Sequence, residues 1–104
     1  LPVDQQLTLE VARMIREYFL QQNGFHEVDA FCTVDLHYKM AKAILTFQES
    51  AKAAMAAGAD LQDVVNVPSR TDLMRGRFES TYADEIEGLV EKMNEEIAAA
   101  IEEN

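Results

Sequence analysis

Apolar residues recur near the start of the chain at the spacing of one helix face. They stand 4, 3, 1, 3 and 1 positions apart, at Leu7, Val11, Met14, Ile15, Tyr18 and Phe19. A period of 3.6 residues places such positions on one stripe, so the pattern predicts a helix over 5–20. Asp4 is the predicted N-cap, and Asn23-Gly24 supplies residues that tolerate the left-handed backbone just beyond the helix.

A second stripe predicts the longest helix, over 34–57. Its apolar positions are 4, 4, 3, 4 and 4 residues apart, at Leu36, Met40, Ile44, Phe47, Ala51 and Met55. Thr33 is the predicted N-cap and Gly58 the predicted stop. The irregular stretch 25–33 predicts a turn or a single helical turn that packs inward.

Two short helical segments are predicted after the second helix. Asp60 caps a helical turn over 61–65, which Pro68 ends by disfavouring helical geometry before it. Ser69, with Asp72 three residues later, predicts a capped short helix that stops near Gly76.

A narrow stripe predicts the last helix, over 81–103. Its members are Tyr82, Ile86, Leu89, Val90, Met93, Ile97, Ala100 and Ile101. No segment alternates apolar and polar residues as a strand does. The expected fold is therefore all-α, an irregular bundle of about four to five antiparallel helices.

The chain is acidic, and most of the acidity lies in the last helix. Its 104 residues fit one domain, and 19 acidic against 9 basic residues give a net charge of −10. Residues 79–104 alone contribute −8. This imbalance argues against a nucleic acid partner or an anionic membrane surface. The acidic helix is interpreted as having a solvated face, with a partner-facing surface as the alternative.

The residues do not predict a self-contained active site. Cys32 lies near His26, Asp29 and His37, but their spacing matches neither a recurrent metal site nor a recognisable thiol-protease site, and Cys32 is interpreted as a small buried residue. Neither GxxxxGK[ST] nor GxGxxG occurs, and no apolar run is long enough to span a membrane. The absence of an initiator Met leads us to expect a piece of a longer polypeptide.

One segment resembles a known family closely. It reads Phe19-Leu20-Gln21-Gln22-Asn23-Gly24-Phe25-His26-Glu27-Val28-Asp29. It resembles the FLQQNxFxxVD segment of the catalytic A subunit of V-type and archaeal A-type ATPases. The flanks agree, at Leu9-Glu10-Val11-Ala12-Arg13, Tyr38-Lys39-Met40 and Val65-Asn66-Val67-Pro68. Gly24 stands where the family commonly has Ala, and Phe31 where it often has Tyr.

The resemblance implies a nucleotide-binding role for part of the chain. In this family ATP turns over at interfaces between A and B subunits, while the phosphate loop and the catalytic Glu lie in an upstream domain. ATP or ADP with magnesium is thus implied for the full subunit, and the fragment is expected to be inactive and to hold no cofactor. Phe25 matches an aromatic that lies against adenine in the related F-type beta subunit, with Gln22 and Asn23 beside it. Plain core packing is the alternative role for Phe25.

The resemblance also implies partners and a location. These are the B subunit and the central rotor stalk, in a cytoplasmic catalytic sector that is peripheral to the membrane, without direct membrane insertion. The rotor-facing segment is expected at the start of the chain, at Leu1, Pro2, Val3, Asp4, Gln5 and Gln6. A freestanding acidic helical adaptor, which is not part of an enzyme, is one competing hypothesis. The non-catalytic B subunit of the same machines is another, but the FLQQN segment is a feature of the A subunit and argues against it.

Overall fold

The computed structural model describes residues 2–22, 30–75 and 83–102. These residues form five α-helices and no strand, so the predicted all-α bundle is confirmed. The helices are α1 (Val3–Gln22), α2 (Ala30–Ala56), α3 (Leu61–Val65), α4 (Pro68–Arg75) and α5 (Ala83–Glu102). The longest helix, α2, makes its most extensive contact with α5, and α1 packs on α2 while also touching α3 and α4.

The predicted stripes form one core among the described residues. It draws Leu7, Val11, Met14 and Tyr18 from α1, Leu36, Met40, Ile44 and Phe47 from α2, and Ile86, Met93 and Ile97 from α5. Ile15, which the pattern placed on the same stripe, lies at its edge and is 43% exposed. The molecule measures 45 × 27 × 17 Å. Because the thin dimension is less than two helix diameters of ~10–12 Å, helices keep a solvent-facing side.

The beginning of α1 corrects one prediction. The helix starts at Val3, and its first hydrogen bond runs from the Gln6 N–H to the Pro2 carbonyl at 3.0 Å. Asp4 is therefore inside the first turn and is not the N-cap. In that position its carboxylate still lies near the positive end of the helix dipole. The predicted stop at Asn23-Gly24 lies outside the described residues.

The beginning of α2 corrects a second prediction. The helix starts at Ala30, so Thr33 lies within it and is not its N-cap. Ala30 and the residues up to Thr33 include no Gly or Pro, so nothing in the local sequence prevents the helix from extending backward by a turn. The expected inward-packing turn is thus helical over 30–33, and its part at 25–29 lies outside the described residues.

The end of α2 confirms the predicted stop at Gly58. Gly58 has φ +106°, a backbone region that favours glycine. The Ala59 N–H donates to the Ala54 carbonyl at 2.9 Å, and the Gly58 N–H donates to the Met55 carbonyl at 3.1 Å. These two bonds make a Schellman motif, which satisfies carbonyls left open at the helix end.

Of the two N-caps predicted between α2 and α5, the one for α3 is confirmed and the one for α4 is wrong. Asp60 caps α3 as predicted, because its side chain accepts from the Gln62 N–H at 3.2 Å. Pro68, however, is the first residue of α4, a position that suits proline because it lacks an N–H that would be unpaired there. Ser69 is therefore the second helical residue rather than an N-cap, and the predicted pairing with Asp72 is wrong.

Candidate functional site

Each predicted contact region includes residues at one end of α1, which spans Val3–Gln22. Pro2, Val3, Asp4 and Gln5 are exposed at the amino end, Gln6 is half-buried, and Leu1 lies outside the described residues. Gln22 is the last residue of α1, while Asn23 and Phe25 lie outside the described residues. At ~1.5 Å per residue, the two ends of this helix are about 28 Å apart.

The middle of α1 is fixed to the bundle by a half-buried ion pair. Glu10 Oε2 accepts from Arg70 Nη2 of α4 at 2.9 Å, across 60 residues of sequence. The two side chains are 18% and 14% exposed. Glu10 also pairs with Arg13 at 3.3 Å, but that arginine is 64% exposed. The Arg70 contact is the stronger one because it is more protected from water.

Arg70 joins four helices. Its Nη1 donates to the Val65 carbonyl of α3 at 3.3 Å, and its guanidinium carbon lies 5.4 Å from the centre of the Phe47 ring of α2. Its Nε is buried without a hydrogen-bond partner within the described residues. The charged bond to Glu10 and the ring contact offset that loss, so Arg70 provides a polar contact among the helices that surround it.

A second polar link holds the carboxyl end of α1 to α2. The Tyr18 hydroxyl is hydrogen-bonded to Nδ1 of His37, and the two rings are edge-to-face with centroids 5.3 Å apart at 88°. Burial raises the pKa of the Tyr18 phenol from 10.0 to about 12. Tyr18 therefore keeps its proton at neutral pH.

An apolar groove of about 370 Å³ runs between α1 and α2 next to this link. Its walls are Val11, Ile15, Tyr18, His37, Ala41, Ile44 and Leu45. Leu45 is 58% exposed, so the groove opens to the surface. This apolar surface extends toward the end of α1 that carries Gln22.

Among the described side chains of the acidic helix α5, carboxylates are both exposed and half-buried. Glu85, Glu87, Glu91 and Glu95 are exposed, which fits both a solvated face and the alternative of a partner-facing surface. Glu96 is half-buried, and its Oε1 accepts from the Ser69 N–H at 3.0 Å and from the Ser69 hydroxyl. Glu96 thus supplies the cap of α4 that Ser69 was predicted to provide itself.

Of the four groups considered for catalysis or metal binding, the structure describes the side chain of His37 alone. His37 is bonded to Tyr18, whereas His26 and Asp29 lie outside the described residues and the Cys32 side chain is not described. Within residues 2–22, 30–75 and 83–102 no group of three or more His, Cys, Asp or Glu side chains is arranged to hold a metal ion. No helix among the described residues is long and apolar enough to cross a membrane.

Sequence reasoning missed the polar pairs that tie the helices together. Glu10 and Arg70 are 60 residues apart, and Ser69 and Glu96 are 27 apart. No spacing rule relates such positions. The sequence offered one signal for Arg70, its place directly after Val67-Pro68-Ser69. The family resemblance includes an Arg-bearing helix at this place but assigns the arginine no partner.

Comparisons with known proteins agree on one family. The family described as the C-terminal domain of V and A type ATP synthase matches residues 1–65. The A subunit of the A-type ATP synthase of Methanosarcina barkeri is 37% identical over 99 residues, which are 95% of this chain and 17% of the relative. Its counterpart of the same name from Natronomonas pharaonis is 45% identical over 89 residues, 86% of this chain and 15% of that relative. No solved structure matches.

Proposed function

The chain belongs to the family of C-terminal domains of V- and A-type ATP synthases, and we propose that it serves as that domain in the catalytic A subunit of a rotary ATPase. The chain spans about 17% of the length of the curated relatives it matches. The complete rotary ATPase couples ATP turnover to the transport of protons or sodium ions, and this domain is not catalytic alone. Its part is to close the adenine end of the nucleotide site and to face the rotor.

The adenine proposal rests on the segment between α1 and α2. It includes Phe25, with Gln22 and Asn23 beside it, and a flat ring stacks on a purine while amides meet its polar edge. The observation that carries it is the Tyr18–His37 link, which joins the two helices on either side of this segment. This link supports the proposal because it holds the end of α1 near Gln22 to the first half of α2.

The residues of this chain suit one end of the nucleotide only. No GxxxxGK[ST] loop is present to hold phosphates, and the described residues include no carboxylate cluster suited to magnesium. Aromatic and amide side chains at Gln22, Asn23 and Phe25 suit the base. ATP or ADP with magnesium is therefore bound mainly by other parts of the subunit, which supply the phosphate chemistry, and this chain contributes to base recognition.

The rotor proposal rests on the opposite end of α1. Pro2, Val3 and Gln5 are exposed there, and Val3 is 51% exposed although it is apolar. Exposed apolar and polar side chains at a helix end are suited to contact another subunit. A single helix held at its middle by Arg70 then spans the distance between the nucleotide end and the rotor end. The B subunit is the other partner, in a cytoplasmic sector peripheral to the membrane.

Substituting Phe25 in the complete subunit tests the adenine proposal. Phe25→Ala is expected to weaken ATP and ADP binding by about 1–3 kcal/mol, the range for a lost aromatic stacking contact, as measured by fluorescence titration of the assembled complex. Phe25→Tyr keeps the ring and should retain near-native affinity. Equal affinity of Phe25→Ala and the native protein contradicts the proposal.

Cysteine cross-linking tests the rotor proposal. Cys32→Ser first removes the thiol of these 104 residues, and cysteine is then placed at Gln5 or, as a control on α3, at the exposed Gln62. Gln5→Cys should cross-link to the stalk in at least one rotational state, and Gln62→Cys should not. Absence of the Gln5→Cys product in every rotational state contradicts the assignment.

A further inference from the structure

The Tyr18–His37 link lies close to the part of the chain proposed for adenine binding. Tyr18 precedes Gln22, the last residue of α1, by four residues, and His37 follows Ala30, the first residue of α2, by seven. At ~1.5 Å per residue, these separations amount to about 6 Å and about 10.5 Å along the helices. The sequence between Gln22 and Ala30 includes Phe25. The link therefore joins the two helices near the ends that flank this part of the chain.

Two rigid rings form the link, so it restricts direction as well as distance. The Tyr18 hydroxyl is hydrogen-bonded to Nδ1 of His37, and the rings meet edge-to-face at 88° with centroids 5.3 Å apart. Tyr18 is buried and His37 is half-buried. Each ring turns about only two side-chain bonds, so ordering it costs less entropy than ordering a long charged side chain. A rigid pair of this kind is suited to holding two helices in one relative position.

The two helices pack less closely beside the link than they do in the core. The apolar groove of about 370 Å³ between α1 and α2 includes Tyr18 and His37 in its walls, together with the exposed side chains of Ile15 and Leu45. Side chains along an open groove lack partner atoms on one side and lose the dispersion contacts that close packing provides. The polar link therefore takes a larger share in holding this part of α1 to α2.

Two other polar contacts of these helices lie further from the carboxyl end of α1. Arg70 binds Glu10, which precedes the last residue of α1 by about 18 Å along the helix. The Ser50 hydroxyl donates to Asn94 Oδ1 of α5 at 2.7 Å, and Ser50 lies about 30 Å along α2 from its first residue. The Ser50–Asn94 bond is therefore a matched control, because it joins helices through one hydroxyl but acts far from Gln22.

We propose that Tyr18 and His37 are positioning residues for the adenine base. Their link limits how far the carboxyl end of α1 and the first half of α2 can separate. The chain between the two helices then has fewer conformations to lose when it binds the base, and a smaller ordering cost means a higher affinity. This proposal rests on the proposed function of Phe25. It adds that adenine affinity depends on a bond between two helices as well as on the residues that meet the base.

Ligands with and without the base test the proposal in the complete, assembled complex. Tyr18→Phe removes the hydroxyl and keeps the ring, so it should weaken ATP binding about fivefold, the effect of losing one hydrogen bond of ~1 kcal/mol. Inorganic tripolyphosphate has no base, and its affinity should not change. Isothermal titration calorimetry with magnesium present measures both affinities. Ser50→Ala removes a hydroxyl bond elsewhere and should leave both affinities unchanged.

A matched pair of variants tests the imidazole side of the link. His37→Ala removes the partner of the Tyr18 hydroxyl and should weaken ATP binding as Tyr18→Phe does. His37→Asn places an amide, which can donate or accept, near the position of Nδ1 and should retain most of the native affinity. Equal losses of ATP affinity in the two variants overturn the role assigned to the hydrogen bond.

Phe25→Ala separates the positioning proposal from the proposed function. If Phe25→Ala loses ATP affinity and Tyr18→Phe does not, the positioning role is overturned while the adenine role of Phe25 stands. If Phe25→Ala keeps the native ATP affinity, the adenine role fails and the positioning role fails with it. Equal losses of ATP and tripolyphosphate affinity in Tyr18→Phe, or the same loss of ATP affinity in Ser50→Ala, with circular dichroism showing each variant folded, also overturn the positioning role.

Discussion

Replacing both members of the Glu10–Arg70 pair by methionine measures how firmly the middle of α1 is attached. Arg70→Met removes the 2.9 Å bond to Glu10 and the bond to the Val65 carbonyl, while its apolar side chain still packs on Phe47. A hydrogen bond to a charged group contributes about 1.5–3 kcal/mol, so this variant should lose about 3 kcal/mol of unfolding free energy. Glu10→Met should lose about 2 kcal/mol, because Arg70 is then half-buried without its carboxylate.

The double variant should lose no more than the worse single variant. Removing both charges also removes the cost of desolvating them, so the coupling energy should be about 2 kcal/mol. Urea unfolding of the chain followed by circular dichroism measures all four proteins. The matched cycle with Arg13, which is 64% exposed, should give less than about 0.5 kcal/mol. Equal coupling energies in the two cycles refute the reasoning that protection from water makes the Arg70 contact dominant.

Two further predictions concern backbone conformation and proton linkage. Gly58→Ala should destabilise the chain by about 1 kcal/mol, because φ is +106° at this position. Gly88→Ala, in the middle of α5, should stabilise the chain by about 0.5–1 kcal/mol, because a Cβ there meets nothing within 4 Å. Urea unfolding measures both changes, and two changes of the same sign contradict the conformational argument. The raised pKa of Tyr18 means that the unfolded chain loses this proton near pH 10 and the folded chain near pH 12, so stability should fall as pH rises through that window. Tyr18→Phe should abolish this part of the pH dependence and lower the free energy of unfolding by about 1 kcal/mol at neutral pH. If the pH profile of stability is unchanged in this variant, the assignment of the pH dependence to Tyr18 is contradicted.

The parts of the fold that depend on local spacing could be predicted from the sequence. The stripes through Leu7, Phe47 and Ile97 are buried because a helix repeats every 3.6 residues wherever it occurs. Gly58 and Asp60 were also predictable, because a left-handed stop and a side-chain cap involve only neighbouring residues. These features need no knowledge of the tertiary structure.

The wrong N-caps show where local rules fail. Thr33 and Ser69 have suitable side chains, yet Thr33 lies inside α2 and Ser69 bonds to Glu96 from another helix. Cap preferences amount to about 1 kcal/mol, which tertiary packing easily exceeds. The same limit applies to the candidate site, because Glu10–Arg70 and Tyr18–His37 depend on which helices are neighbours.

The roles of Phe25 and of the start of α1 came from resemblance and not from spacing. Phe25 has no periodic partner that marks it as a purine contact, and Val3 is an ordinary exposed valine unless another subunit covers it. Such roles depend on parts of an assembly outside this chain. The family match supports them as proposals, and experiments on the complete protein decide them.

Photolabelling of the assembled complex with 2-azido-ATP tests the central proposal most directly. The azide is attached to the adenine ring, so the label marks the residues that surround the base. We predict a labelled peptide from this chain with the modification within 22–25, suppressed by excess ATP and lost in Phe25→Ala. Labelling that spares this chain while other parts of the complex are modified at the same ATP-protected site would contradict the proposal that this domain closes the adenine end.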